Sequence, residues 1–278
     1  MFTAAAAAVL MLAACDQAED VAVETEAPAA EEVAEAAPAP TPAEEPASAP
    51  AAYVIPADAP AHIRRGVEAP DRTPEMTARD ANRKPAELLT LARVEEGDRI
   101  AEFAAFGQYF TTMLSAAVGP EGRVYMYDLP YTAERSEATS RAFVEAHPNT
   151  EYQLVDYNDV ELPSDLDAVH IVLYYHDLPL NGIDTAAFNQ KIYDALKPGG
   201  IYFIVDHNAP AGSGTEYTES AHRIDPEVIR TEVTAAGFEL VEDSDLLSNP
   251  DDDLTSMVFS PGTRGTTDQS VLVFQKPE

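Results

Sequence analysis

The chain holds one cysteine in 278 residues, Cys15. That excludes an internal disulfide and any paired-cysteine metal or redox motif. Positive charge is also scarce: 17 Lys and Arg stand against 49 Asp and Glu, a formal net charge of −32. Such a balance repels phosphate backbones and speaks against a nucleic-acid partner. There is no phosphate loop, no Ser-His-Asp elbow and no repeat of solenoid period. The apolar run over residues 4–14 is too short to cross a bilayer as a permanent helix.

What is present divides the chain in three. Residues 1–14, MFTAAAAAVLMLAA, read as an export signal, and Leu12-Ala13-Ala14-Cys15 resembles a bacterial lipobox. The resemblance implies lipidation of Cys15, a membrane as partner through that lipid, and a place on the periplasmic side of the cell envelope. No Lys or Arg precedes the run, which departs from the pattern, and a free or buried thiol is the alternative. Residues 15–60 are Ala, Pro and Glu with eleven acids and no Lys or Arg. They bury too little to offset the entropy of ordering and are expected to be a disordered tether. The folded part is placed at 61–278.

Within it, apolar runs alternate with helical spacing. Strands are expected at 99–102, 124–127, 151–155, 168–174, 201–205, 238–242 and 271–275. Helices are expected at 84–92, 109–118, 131–147, 184–196 and 226–236, with 61–82 left as polar, proline-broken chain. This order gives an α/β fold, a doubly wound, mostly parallel seven-stranded sheet with helices on both faces. The segment Arg99 to Asp128 organises it, as strand, turn, helix and second strand. Asp128 stands about where such folds place an acid for a ribose hydroxyl pair, the alternative being a solvated turn acid. Tyr175-His176-Asp177 follows the fourth strand, at the sheet edge where open α/β folds bind ligands. His176 is the candidate base, with Asp177 or Tyr175 to orient it; the alternative is a histidine capping the strand. His207 falls on the same edge and His222 begins the run preceding the last helix, but no compact ligand spacing among the histidines supports a metal site, and none is assigned. His170 reads as a satisfied core residue, and Arg223 as half of a structural ion pair.

Glu102 and Asp128 at two strand ends, Lys197-Pro198-Gly199-Gly200 before a strand, and the closing pair of strands resemble the class I S-adenosylmethionine-dependent methyltransferases. The runs 80–87, 107–111, Tyr175-His176-Asp177, His222-Arg223-Ile224-Asp225 and Gly265-Thr266-Thr267-Asp268 are similar to an exported bacterial group of predicted methyltransferases. The resemblance covers about residues 75–278. It implies a Rossmann-like methyltransferase fold, S-adenosylmethionine as cofactor and a small-molecule acceptor. It places Glu102, Ala104, Phe106, Gly107, Gln108, Asp128, Asp156 and Asn158 at the cofactor, the last two near the adenine. In the narrower group the turn after the first strand is glycine-rich, whereas here Phe106 and Gln108 replace two glycines. A ring at 106 is expected to crowd the cofactor, and a positive φ there would be strained. The alternative function is therefore a non-catalytic lipoprotein that kept the sheet and lost the cofactor.

Overall fold

The computed structural model describes residues 52–278. The expected export signal, Cys15 and most of the tether lie outside the described residues. Four short helices come first: α1 (Ala61–Val67), α2 (Pro74–Thr77), α3 (Asp80–Arg83) and α4 (Pro85–Leu91). Then follow β1 (Arg99–Phe103), α5 (Tyr109–Val118), β2 (Arg123–Asp128), α6 (Ala133–Ala146), β3 (Thr150–Leu154) and β4 (Leu166–Val172). The last part comprises α7 (Thr185–Ala195), β5 (Leu196–His207), α8 (Thr218–Ala221), α9 (Pro226–Ala235), β6 (Glu239–Ser244) and β7 (Gln269–Gln275).

The seven strands form one sheet in the order β3-β2-β1-β4-β5-β7-β6. Pairs from β3 through β5 are parallel, and β7 runs antiparallel to both β5 and β6. The expected fold class is the one observed. Central strands are apolar on both faces because both are covered. On β5, Tyr202 and Ile204 point into one core with Phe188 and Ile192 of α7 and Ile229 and Val233 of α9. Ile201, Phe203 and Val205 point into the other, with Ile63 of α1, Leu88 of α4 and Met113 and Leu114 of α5. The strand order reverses between β1 and β4, which opens a crevice at their carboxyl ends.

Three differences from the sequence reading have local causes. Residues 61–82 are not irregular: α1 buries Ile63 and Val67, and Gly66 lets it approach α5 so closely that a Cβ would sit 2.7 Å from the Met113 carbonyl oxygen. The folded part begins before residue 61, because the Tyr53 hydroxyl donates to Glu87 Oε2 at 2.5 Å and accepts the Ala86 N–H at 3.1 Å. Lys197-Pro198-Gly199-Gly200 is not a turn ahead of β5 but a bulge within it. Leu196 pairs with Leu166 and Ile201 with Ala168, so four residues oppose one. Gly199 there has φ +77°, a conformation glycine adopts without strain.

Candidate functional site

A cavity of about 580 Å³ lies at the carboxyl ends of β1, β4 and β5, at the reversal in strand order. That volume is within the range of small-molecule sites. The turn after β1 forms one wall, the segment after β4 supplies His176 and Asp177, and His207 ends β5. His222 and Phe259 reach in from the loops after α8 and β6.

His176 is the best-held side chain of the site. Asp206, on β5 and almost fully buried, meets its Nδ1 at 2.6 Å and accepts its backbone N–H at 2.8 Å. Burial disfavours the imidazolium, but the Asp206 charge and hydrogen bond, with Asp177 adding, outweigh it and raise the His176 pKa. Burial likewise pushes Asp206 up, and the facing imidazole overcomes this to hold it below its usual value. On the other side of the ring, Nε2 lies 3.3 Å from Asp177 Oδ1, and His222 Nδ1 lies 3.1 Å from the same oxygen. His207 stands apart, with Nδ1 2.7 Å from Thr267 Oγ1; burial pushes its pKa down to about 3, so it is neutral.

The second feature is positive charge. Arg79, Arg83, Arg135 and Arg264 line the cavity, and none has a carboxylate partner among the described residues. Arg79 and Arg83 lie over the Tyr109 ring at 4.9 and 4.8 Å, and Arg135 over Phe106 at 4.3 Å. Burial and the neighbouring Arg79 lower the Arg83 pKa to about 9. In a chain of net charge −32, four arginines without a carboxylate partner line one cavity that holds two acids, Glu102 and Asp177, and this excess of positive charge favours an anion.

No family model matches the chain, and no curated protein matches it. Solved structures do. An S-adenosylmethionine-dependent methyltransferase from Aquifex aeolicus aligns at TM-score 0.50 and 15% identity, over 68% of this chain and 87% of that one. A chain of the complex containing the Trm112 methyltransferase activator of Haloferax volcanii aligns at 0.53 and 17%, over 78% and 98%. The [4+2]-cyclase SpnF aligns at 0.52 and 14%, over 72% and 83%. The fold is the Rossmann-like methyltransferase fold. A cyclase among these neighbours shows that the architecture does not fix the reaction.

On this methyltransferase fold the expected residues separate into two groups. Glu102, Ala104, Phe106, His176 and Asp177 line the cavity. Glu102 is buried on β1 and accepts the Thr111 hydroxyl at 2.6 Å; burial, partly offset by that bond, pushes its pKa up to about 8, so it is neutral at pH 7. Phe106 is half-buried, edge-on to Tyr174 at 6.0 Å, and is not among the residues of positive φ, so the strain expected there does not arise. Ala104 and Gln108 take the left-handed conformation instead, at φ +57° and +50°. Gly107, at +88°, faces open space.

The other residues do not reach the cavity. Asp128 has no exposed surface: its Oδ1 accepts the Phe106 N–H at 3.0 Å and Oδ2 faces Ser136 Oγ at 3.4 Å. Burial pushes its pKa up to about 6, with the Phe106 bond pulling against it. The acid expected for ribose is thus spent on the turn. Gln108 points away, donating to Ser140 on α6 at 2.9 Å. Asp156 accepts the Asn158 N–H, and Asn158 joins the Gly182 carbonyl to the Asp184 N–H ahead of α7. Tyr175 is buried on the far face, where its hydroxyl donates to Glu232 and accepts from Asn189, each at 2.8 Å. It does not orient His176; Asp206 does, and sequence reading missed it because it lies thirty positions downstream on another strand. His170 is buried, but neither ring nitrogen has a partner among the described residues, and burial pushes its pKa down to about 3. The sequence spacing, which supported no metal site, does not show that the fold gathers three donor side chains. His176, Asp177 and His222 bring donor atoms within 4.8 Å of one another. Arg223 is a structural ion pair as expected, fully buried and bidentate on Asp252 at 2.7 and 2.9 Å.

For S-adenosylmethionine the cavity fits one end of the molecule. The unpaired arginines suit its carboxylate, and Glu102 and the turn 104–106 offer polar groups beside open space. The ribose end finds no free acid at β2.

Proposed function

We propose that this chain is an S-adenosylmethionine-dependent methyltransferase whose acceptor is an anionic small molecule, exported and held to a membrane through lipid on Cys15. The observation that carries the reading is one cavity, at the strand-order reversal of a methyltransferase fold, that joins the β1 turn to a carboxylate-oriented histidine. Glu102, Ala104, Phe106 and the arginines would hold the cofactor, which when bound supplies an electrophilic methyl group. His176 would take the proton that the acceptor gives up, its Nδ1 proton held by Asp206 and the charge it gains stabilised there. The arginines would neutralise and align the acceptor, and alignment is most of what methyl transfer requires of a protein.

A second reading is favoured by the Phe106 to Asp128 bond, which closes the usual ribose acid. In that reading the fold persists as an anion-binding lipoprotein without the cofactor. Calorimetric titration of the full chain, carrying Cys15→Ser to keep it unlipidated, with S-adenosylmethionine and S-adenosylhomocysteine separates the two. Micromolar binding of either supports the transferase, and silence from both supports the second reading.

A further inference from the structure

We propose that His176, Asp177 and His222 form a three-ligand site for a divalent transition metal of the zinc class, with a fourth position open to the cavity. The inference goes beyond the proposed function and bears on it at one atom: with Nε2 on a metal, His176 is a ligand and cannot also take the acceptor's proton, so the base role belongs to the metal-free chain. It rests on donors from two distant parts of the chain meeting at one point. His176 and Asp177 sit on the 3₁₀ turn Tyr175–Asp177 after β4, and His222 ends α8. His176 Nε2 and His222 Nδ1 lie 3.3 and 3.1 Å from the same Asp177 oxygen, and the three donor atoms fall within 4.8 Å of one another. Tetrahedral zinc with bonds of about 2.0–2.1 Å separates neighbouring donors by roughly 3.3–3.4 Å. Two edges of such a polyhedron are therefore already in place.

The surroundings match a ligating histidine more closely than a pair of ion-paired ones. Metal-bound imidazoles pass their remote N–H to a carboxylate, which fixes the ring and raises its basicity. Asp206 does this for His176 from a fully covered position, leaving Nε2 directed at the cluster. His222 is held by backbone strain, with φ +54° in the left-handed region, a conformation a non-glycine residue keeps where its surroundings impose it. Its ring packs on Phe259 at 5.1 Å, and its side chain stays 26% exposed, which leaves an entry path. Two imidazoles and one carboxylate favour zinc, cobalt, nickel or iron(II) over magnesium or calcium, which take oxygen ligands. Three protein ligands are the pattern of an open rather than a closed, structural site. The open position faces the cavity that the arginines line, so a bound metal and an anion would share it.

Cobalt(II) is the probe. The full chain carrying Cys15→Ser, stripped with chelator, is titrated with Co²⁺ followed by visible absorption, then with Zn²⁺ in competition. The expected result is ligand-field bands of low-symmetry four-coordinate cobalt that saturate at one equivalent and disappear on adding zinc. His222→Ala and, as a nearly isosteric second variant, Asp177→Asn each weaken cobalt binding by at least about tenfold while circular dichroism stays that of the parent. No saturable spectrum, or a spectrum of unchanged affinity in both variants, overturns the proposal. In either case the three side chains are a carboxylate bridging two imidazoles and nothing more.

Discussion

The backbone N–H of Phe106 donates to Asp128 Oδ1 at 3.0 Å, and no surface of that carboxylate remains exposed. One bond thus ties the turn after β1 to the end of β2, beside the cavity. If Asp128 serves the turn, its loss is a loss of stability. Asp128→Ala leaves the Phe106 N–H buried and unpaired, at a cost of about 1–3 kcal/mol. The melting temperature should fall by roughly 3–10 °C. A variant with unchanged melting and weakened cofactor binding would return Asp128 to the ligand.

Stability should fall as pH rises from about 7 to about 8. Glu102 titrates in the folded chain at about 8 and Asp128 at about 6, both raised chiefly by burial, and His176 is raised as well. Between pH 7 and 8 Glu102 and His176 bind more protons folded than unfolded, while His170 and His207, neutral in the folded chain and mostly neutral unfolded, add little, so the linkage slope is negative. Thermal melts at pH 7 and pH 8 check this, with the higher midpoint expected at pH 7. Glu102→Gln should raise the pH 8 midpoint by about 5 °C and leave the pH 5 value nearly unchanged. Below this window the imidazoles of His170 and His207, which burial pushes down to about 3, act in the opposite sense, and Asp206, held under its usual value by the His176 imidazole after burial is overcome, adds to the loss in acid.

The arginines should divide by role. Arg223 fills Asp252 and the Asn208 and Ser256 carbonyls from a fully buried position. Arg223→Ala strands a buried carboxylate and should cost about 3–5 kcal/mol. Arg264→Ala and Arg79→Ala, at exposed positions, should leave melting within about 2 °C and weaken binding of anionic ligands. Urea denaturation beside calorimetry makes the distinction.

The amino-terminal edge of the domain gives a further test. Tyr53 bonds to Glu87 and Ala86, and Ile55 packs against the same core. A chain starting at residue 61 should be less stable than one starting at 49 by about 1–2 kcal/mol, measured as a shift in urea midpoint.

What the sequence disclosed follows from how local each signal is. The strands and larger helices were legible because alternation and helical spacing are written in consecutive residues, as on β5 from Ile201 to Val205. So was the edge of the sheet at which the cavity opens, which strand order dictates. The partners of the site were not. Asp206 meets His176 across thirty residues, and His222 meets Asp177 across forty-five. Tyr175 was misassigned for a related reason: adjacent residues on a tight turn point to opposite sides, and adjacency to His176 says nothing about orientation. Asp128 was placed correctly on its strand and wrongly in its contacts, because the Phe106 N–H that captures it depends on the turn's φ pattern, with left-handed residues at Ala104, Gly107 and Gln108.

The central claim is that the cavity beside Phe106 and His176 takes the cofactor. A crystal structure grown with S-adenosylhomocysteine tests it most directly. The account predicts density for the ligand against Glu102 and the 104–106 turn, with its carboxylate on the cavity arginines. A cavity without that density at saturating ligand, with the Phe106 ring still edge-on to Tyr174, would contradict it.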